Sequence, residues 1–480
     1  MGILTRKMIS LWYNTAIFKD RREIVFMEEK QNKLERSIGL FGGVSILTGI
    51  MVGSGIFFIG SYVLMRTEFS GGLSLLVWLI GGVITLLYGL IYAELGAMMP
   101  KAGGYYVYLR EAYGKPVAFL SGFMNFVLAS SGSVAALAIA FSLILSNVLA
   151  MLFGIGLSAL VMSLISVAMI IALSILNYFG IRIGTLVQKI FLVIKLIPIS
   201  LIVILGIILG TNTVSLSIQV NQMPIFDVLT MIGYAVIATF WAYEGWTNLN
   251  NVAGEVEKPG RNIPLSLIVS IGSVTLIYVL YQFSTFRVLS INQLQAIIAG
   301  GNIYTGIDAA YVMLGSIGMY IVMFTMLLSV LGALNGSIIV FPRVYYAMSK
   351  DGLLFQKFKV LHPKYKTPIY AILGSAIMSI ILLVFGLDDL ITFIAFTGLL
   401  FNGLIFIGLF IFRKKYPNKR RPYKVWGYPY LPAFTILITL LLLLAVYVED
   451  IRTSLIGTGV LLIGLPVYYG IEYFKKKRSE

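Results

Sequence analysis

Apolar residues run in blocks of about 20 along this chain, separated by short polar stretches. An α-helix rises about 1.5 Å per residue, so a block of that length crosses the ~30 Å hydrocarbon core of a bilayer. The pattern predicts twelve spans, at 38–66, 72–99, 116–150, 155–178, 185–210, 226–255, 264–290, 311–348, 368–386, 388–412, 431–448 and 453–473. Two blocks break their own pattern. The first carries "GIMVGSGIFF", Gly49 to Phe58, which sets Gly53, Ser54 and Gly55 in mid-span. The sixth carries "AYEGWTNLN", Ala242 to Asn250, with Glu244 deep in the block. Glycine costs a helix interior about 1 kcal/mol relative to alanine. Ser, Thr and Asn offer the backbone competing hydrogen bonds. A carboxylate at the centre of a span costs roughly 2.5–3.5 kcal/mol.

Irregular backbone at membrane depth survives only against protein or a water-filled cavity. Paired interruptions in two halves of a chain point to a carrier built from inverted repeats. A broken helix exposes N–H groups at the start of its second half and C=O groups at the end of its first. The former suit an anion and the latter a cation, so two such breaks fit a zwitterionic amino acid. The competing reading of "GSG" is a packing face, since small residues let membrane helices approach closely. The second break, with its acid and amides, favours a binding site.

Composition agrees with a membrane protein. The 480 residues are 59% hydrophobic and 12% charged, and mean hydropathy is +0.93. The absence of cysteine excludes disulfides, thiolate metal sites and a cysteine nucleophile, and the single histidine, His362, lies in a polar loop. With no paired Asp dyad and no metal spacing either, an intramembrane enzyme is disfavoured, and neither metal nor cofactor is expected.

The net charge of +16 resembles a nucleic-acid signal until it is mapped. Lys and Arg alternate by loop, the strongest basic run being "RKKYPNKRRPYK", Arg413 to Lys424, with "KKKR" near the end. The opposite loops hold Asp388, Asp389, Glu449 and Asp450 and few cations. This is the positive-inside pattern; it places both termini in the cytoplasm and leaves no patch for nucleic acid. Residues 1–37 read as a cytoplasmic segment without a cleavable signal. "MEEKQNKLERSIGLFGG" from Met27 resembles a natural start, which makes residues 1–26 a disordered stretch, an interfacial helix or an artefact of start-site choice.

Several motifs then act together. "GIMVGSGIFF", "YAELGAMMPKAGGYYVYLREAYG", "WAYEGW" with "GEVEKPGRNIP", "GALNGSIIVFPRVYYAMSKDGLL" and "RRPYKVWGYPYLP" resemble the amino acid–polyamine–organocation transporters. Within them the chain is most similar to the L-type amino acid transporter branch and its bacterial serine/threonine exchangers, from about Ser37 to Phe474. The resemblance implies an all-α polytopic protein of the LeuT-like kind. Residues 38–210 and 226–412 would form 5+5 inverted repeats, 431–473 two peripheral spans and 474–480 a basic tail. It implies substrate-binding residues: backbone N–H groups of Gly53, Ser54 and Gly55 for the carboxylate, carbonyls of Met51, Trp241 and Glu244 for the amino group, Trp241 as gate and Thr247 for selectivity. On this reading Gly55→Leu would abolish binding without unfolding the protein. Glu244 stands where vertebrate relatives have glycine, so a structural role, capping the N–H groups beyond the break, competes with substrate contact. "SSGSVA", Ser130 to Ala135, lacks a proline that relatives often carry, which implies a straighter third span.

Lys195, deep in the fifth span, resembles a built-in replacement for a sodium ion that ties span one to span eight in other proteins of this fold. Carbonyls of the first break, with Asn335 and Ser337 of span eight, are its expected partners. The implied activity is sodium-independent exchange of small-to-medium neutral amino acids such as serine and threonine by alternating access. Proton-coupled symport is the alternative, and a polyamine or cationic amino-acid carrier a remoter one. A channel or sensor that kept the fold is disfavoured by the lack of a soluble signalling domain. Without cysteine no disulfide-linked heavy chain can form, which favours a stand-alone protein of the bacterial cell membrane, workable as a monomer. Glu94 is expected to be a structural ion-pair partner on the cytoplasmic side, and Arg343 to pin span eight to the cytoplasmic gate region.

Overall fold

A computed structural model describes residues 34–216 and 224–479. The expectations for residues 1–26 lie outside that range. Among the described residues nine helices are long and apolar enough to cross a membrane. A bent pair, Leu40–Met51 and Gly55–Arg66, makes a tenth, and the shorter apolar helices Asp227–Tyr243 and Ile369–Val384 fall where the sixth and ninth spans are predicted. Leu160, Ile197 and Leu444 on the fourth, fifth and eleventh spans point outward. Burying such side chains in lipid rather than in protein is what a membrane helix permits.

The helix boundaries differ from the hydropathy blocks where polar backbone intervenes. The first span bends by 47° at its break. The sixth stops at Tyr243 instead of running to 255, and only a single turn, Asn248–Asn251, follows before a short 3-10 turn at Ala253–Glu255. The third span, Lys115–Phe153, runs as one helix with a single irregular turn. A π-helical turn, Asn125–Ala129, precedes Ser130, and Asn125 Nδ2 donates to Ser121 O at 2.9 Å there. Such a turn is one of the places where a long helix departs from regular geometry. In the eighth span, Thr305–Val340, Gly315 takes a non-helical φ of 61°, and Pro342 opens a further helix, Pro342–Lys350.

The seventh span, Pro259–Val288, packs along the second, and the eighth along the fifth, with the first span between the fifth, seventh and eighth. The face bearing the basic loops is tied shut. Ser37 and Ile38 donate their N–H groups to Glu255 O, each at 2.9 Å, in a short parallel bridge to Val256. The Glu255 carboxylate accepts from Arg343 Nε at 2.8 Å, with side chains 2% and 1% exposed. Glu94, fully buried, meets Arg413 at 2.7 Å and Arg421 at 3.1 Å and accepts from Val425 N at 2.7 Å. A buried carboxylate stripped of its guanidinium would be left uncompensated, which is why these pairs pin their helices. Glu94 and Arg343 thus sit in the structural pairs the sequence suggests.

Candidate functional site

The first break is a hairpin in miniature. Val52 has φ −75° and ψ 71°, an inverse γ-turn in which Gly53 N donates back to Met51 O at 2.7 Å. The expected trio of free amides therefore shifts by one residue. The N–H of Gly53 is already used. No backbone acceptor is found among the described residues for Ser54, Gly55 or Ile56, which open the second half-helix. Those three N–H groups point along the positive end of that helix.

The carbonyl end of the same break is held from three sides. Lys195, wholly buried, donates to Gly49 O at 2.7 Å and to Val52 O. Ser329 on the eighth span donates its hydroxyl toward Val52 O at 2.7 Å, with Gly53 O at 3.1 Å. The Tyr278 hydroxyl, on the seventh, lies 2.7 Å from both Met51 O and Ala242 O. It stands between the two breaks. Asn335 and Ser337 are not the span-eight partners of the lysine. Asn335 bonds to Asn177 and Gln188, each at 2.9 Å, and Ser337 Oγ is buried without a hydrogen-bond partner among the described residues. The physical reason is position: Ser329 lies about two turns nearer the break than Ser337.

Gly55 serves the packing reading as well. A Cβ there would lie 2.6 Å from Ala242 Cα, so the two broken helices touch backbone to backbone. Gly55→Leu would push span six aside, contrary to the expectation that it spares the fold.

At the second break Glu244 is extended, with φ −58° and ψ 142°, and Gly245 takes φ 110°. That left-handed step suits glycine. Trp241 O accepts Glu244 N at 3.3 Å, and Met51 O is filled by Gly53 and Tyr278, so two of the three carbonyls expected to meet an ammonium are engaged. Glu244 O and Ile50 O have no donor among the described residues. Trp241 Nε1 donates to Ser54 Oγ at 3.4 Å, joining the breaks on the other side.

Three cavities meet here. One of about 20 Å³ lies at the break, against Ile50, Gly53, Gly55, Ser133, Trp241 and Glu244. A second, about 530 Å³, leads from Ser54, Trp241 and Glu244 to Arg66, Asp388 and Glu449 on the face opposite the basic loops. A third, about 60 Å³, extends toward the basic-loop face past Thr247, Asn125 and Asn402. Trp241 borders the first two, Thr247 only the third, and Glu244 all of them. Thr247 therefore does not share the small cavity with the first break. Among the described residues no cluster of His, Asp or Glu could hold a metal ion.

A family model for amino acid permeases matches residues 38–470. The chain belongs to the amino acid permease family. The permease is 31% identical to the serine/threonine exchanger SteT of Bacillus subtilis (strain 168) over 456 residues, covering 94% of this chain and 100% of that one. It is 30% identical to the human cystine/glutamate transporter, covering 94% and 88%. With the mouse large neutral amino acids transporter small subunit 2 it shares 30% identity, covering 92% and 82%. Membership and the apolar helices make the permease an all-α, multi-pass protein of the cell membrane.

Sequence reasoning did not find Tyr278, Ser329 or the Ile56 amide. Tyr278 had a signal, a phenol in an apolar span that must find an acceptor when buried. Ser329 had almost none, since a span serine commonly satisfies itself on its own helix.

Proposed function

We propose that this permease is a sodium-independent exchanger of small-to-medium neutral amino acids, working by alternating access between two five-span repeats. The observation that carries the proposal is the Lys195 ammonium on the Gly49 and Val52 carbonyls. A fixed cation there supplies the positive charge that an inorganic ion would otherwise bring to the carbonyl end of the break. The substrate carboxylate takes the N–H groups of Ser54, Gly55 and Ile56. The α-amino group takes the carbonyls of Ile50 and Glu244, across a cavity small enough to suit a small side chain. The large cavity toward Arg66 and Glu449 is the entry path in this conformation, with Trp241 as the gate residue between it and the small one. Relatives named as a serine/threonine exchanger and a large neutral amino acid transporter support this choice of substrate.

The test is reconstitution into liposomes with radiolabelled serine. Uptake should require internal amino acid and persist when sodium is replaced by choline. Uptake into empty vesicles driven by an imposed proton gradient would replace exchange with proton symport.

A further inference from the structure

Beside the entry cavity lies a separate space of about 290 Å³, between the end of span three and the loop that leads into span eight. Its floor is apolar and buried, made by Ile144, Ile307, Met323 and Met326. Asn147, Gly300 and Gly301 are exposed at its edge, and no charged side chain among the described residues lines it. An apolar hollow with a few polar groups is the form of a ligand site, and thioether side chains adapt to an occupant of no fixed shape. Met151 lines the cavity too and is half exposed, and the chain runs on through Leu152, Phe153 and Ile155, all exposed and apolar. On a multi-pass membrane protein such a surface meets lipid. The cavity is therefore continuous with the membrane interface.

It also shares a wall with the entry cavity, since Ile144 and Tyr304 line both. Tyr304 N donates to Asn302 Oδ1 at 2.9 Å, and Asn302 Nδ2 donates to Asp308 at 2.9 Å. The neighbouring Ile303 O accepts the Ser61 hydroxyl at 2.7 Å. Ser61 belongs to Gly55–Arg66, the half-helix that opens with the free amides. The wall is thus tied to the element that presents the carboxylate site.

We propose that this cavity takes the hydrocarbon chain of a neutral bilayer lipid, which braces Tyr304 from behind and holds the entry cavity open. Closing that cavity must move the shared wall, so an occupant that fits the open state biases the protein toward it. Occupancy therefore slows turnover. The binding stands on the cavity alone; the slowing rests on the exchange reading above.

The experiment uses proteoliposomes containing phosphatidylcholine with a diazirine at the end of one chain. After illumination, peptide mass spectrometry should find label on Met323 or Met326, which bulk lipid cannot reach because both are buried. Val148→Asp sets a carboxylate in the half-buried apolar wall and should cut that label about tenfold. Ala150→Asp, at the exposed rim, is the milder second variant. Released from the brace, the variants should exchange serine faster than wild type, by about fivefold for Val148→Asp, and need more external serine for half-maximal rate. A gain in rate is a readout that mere damage to the fold does not give. No label on either methionine in wild type overturns the site. Label lost without faster exchange in either variant overturns the brace. No exchange of any amino acid by wild type would instead overturn the function proposed above and leave the labelling result standing.

Discussion

The two helix breaks do opposite things with similar chemistry. At the first, three other spans send side chains to the exposed carbonyls: Lys195 to Gly49 and Val52, Ser329 to Val52 and Gly53, Tyr278 to Met51. At the second, among the described residues, one side chain from another span reaches a backbone carbonyl, Tyr278 at Ala242, and the segment brings a carboxylate of its own. The first break is bound into the scaffold at the Gly49, Met51, Val52 and Gly53 carbonyls and leaves its amides and the Ile50 carbonyl to offer. The second keeps carbonyls and an acid open toward the cavities. An irregular backbone in a membrane must be satisfied. The difference teaches that satisfaction can be far advanced on one side of a site and partial on the other, so that a ligand finishes it.

The comparison can be broken in steps. Lys195→Ala removes the largest single support of the first break and orphans the Gly49 carbonyl. Exchange in proteoliposomes should fall by about 100-fold or more, two charged hydrogen bonds being lost. Unchanged rates would take the lysine out of the mechanism. Tyr278→Phe keeps the ring that packs on Trp78, centroid to centroid 5.2 Å, and removes only the hydroxyl between the breaks. Exchange should drop about tenfold, with the purified protein eluting unchanged on gel filtration. A normal rate would mean that Gly55 against Ala242 and Trp241 on Ser54 hold the breaks together without the phenol. Ser329→Ala should have the smallest effect, about two- to fivefold, because Lys195 still grips Val52. A loss as large as that of Lys195→Ala would make the serine, not the lysine, the main support of the first break.

Much of this was legible in the sequence because membranes impose hard rules. Apolar length marks the spans, and a glycine pair or an acid inside one marks a break. A lone Lys195 with no acid nearby in its span points to carbonyl partners. Glu94 and Arg343 read correctly because a buried charge needs an opposite one. What could not be read depends on one-residue geometry. The γ-turn at Val52 consumes the Gly53 amide and moves the free set to Ser54, Gly55 and Ile56. Ser329 rather than Asn335 meets the first break because of how span eight lies against it, a matter of helix rotation. Thr247 falls into a neighbouring cavity because the sixth span resumes for only a turn after Gly245. The third span carries a π-helical turn at Asn125–Ala129, which has no sequence signature comparable to a proline.

Glu255 has a consequence for timing. Its carbonyl holds the chain entering the first span, and its carboxylate holds Arg343 just past the eighth. Three strands of the machine are thus fastened by one rivet. Such a joint does not loosen thread by thread; it opens as a unit or stays shut. The step that exposes the basic face should therefore be steeply temperature-dependent and cooperative, setting the pace of the transport cycle even though no substrate touches it.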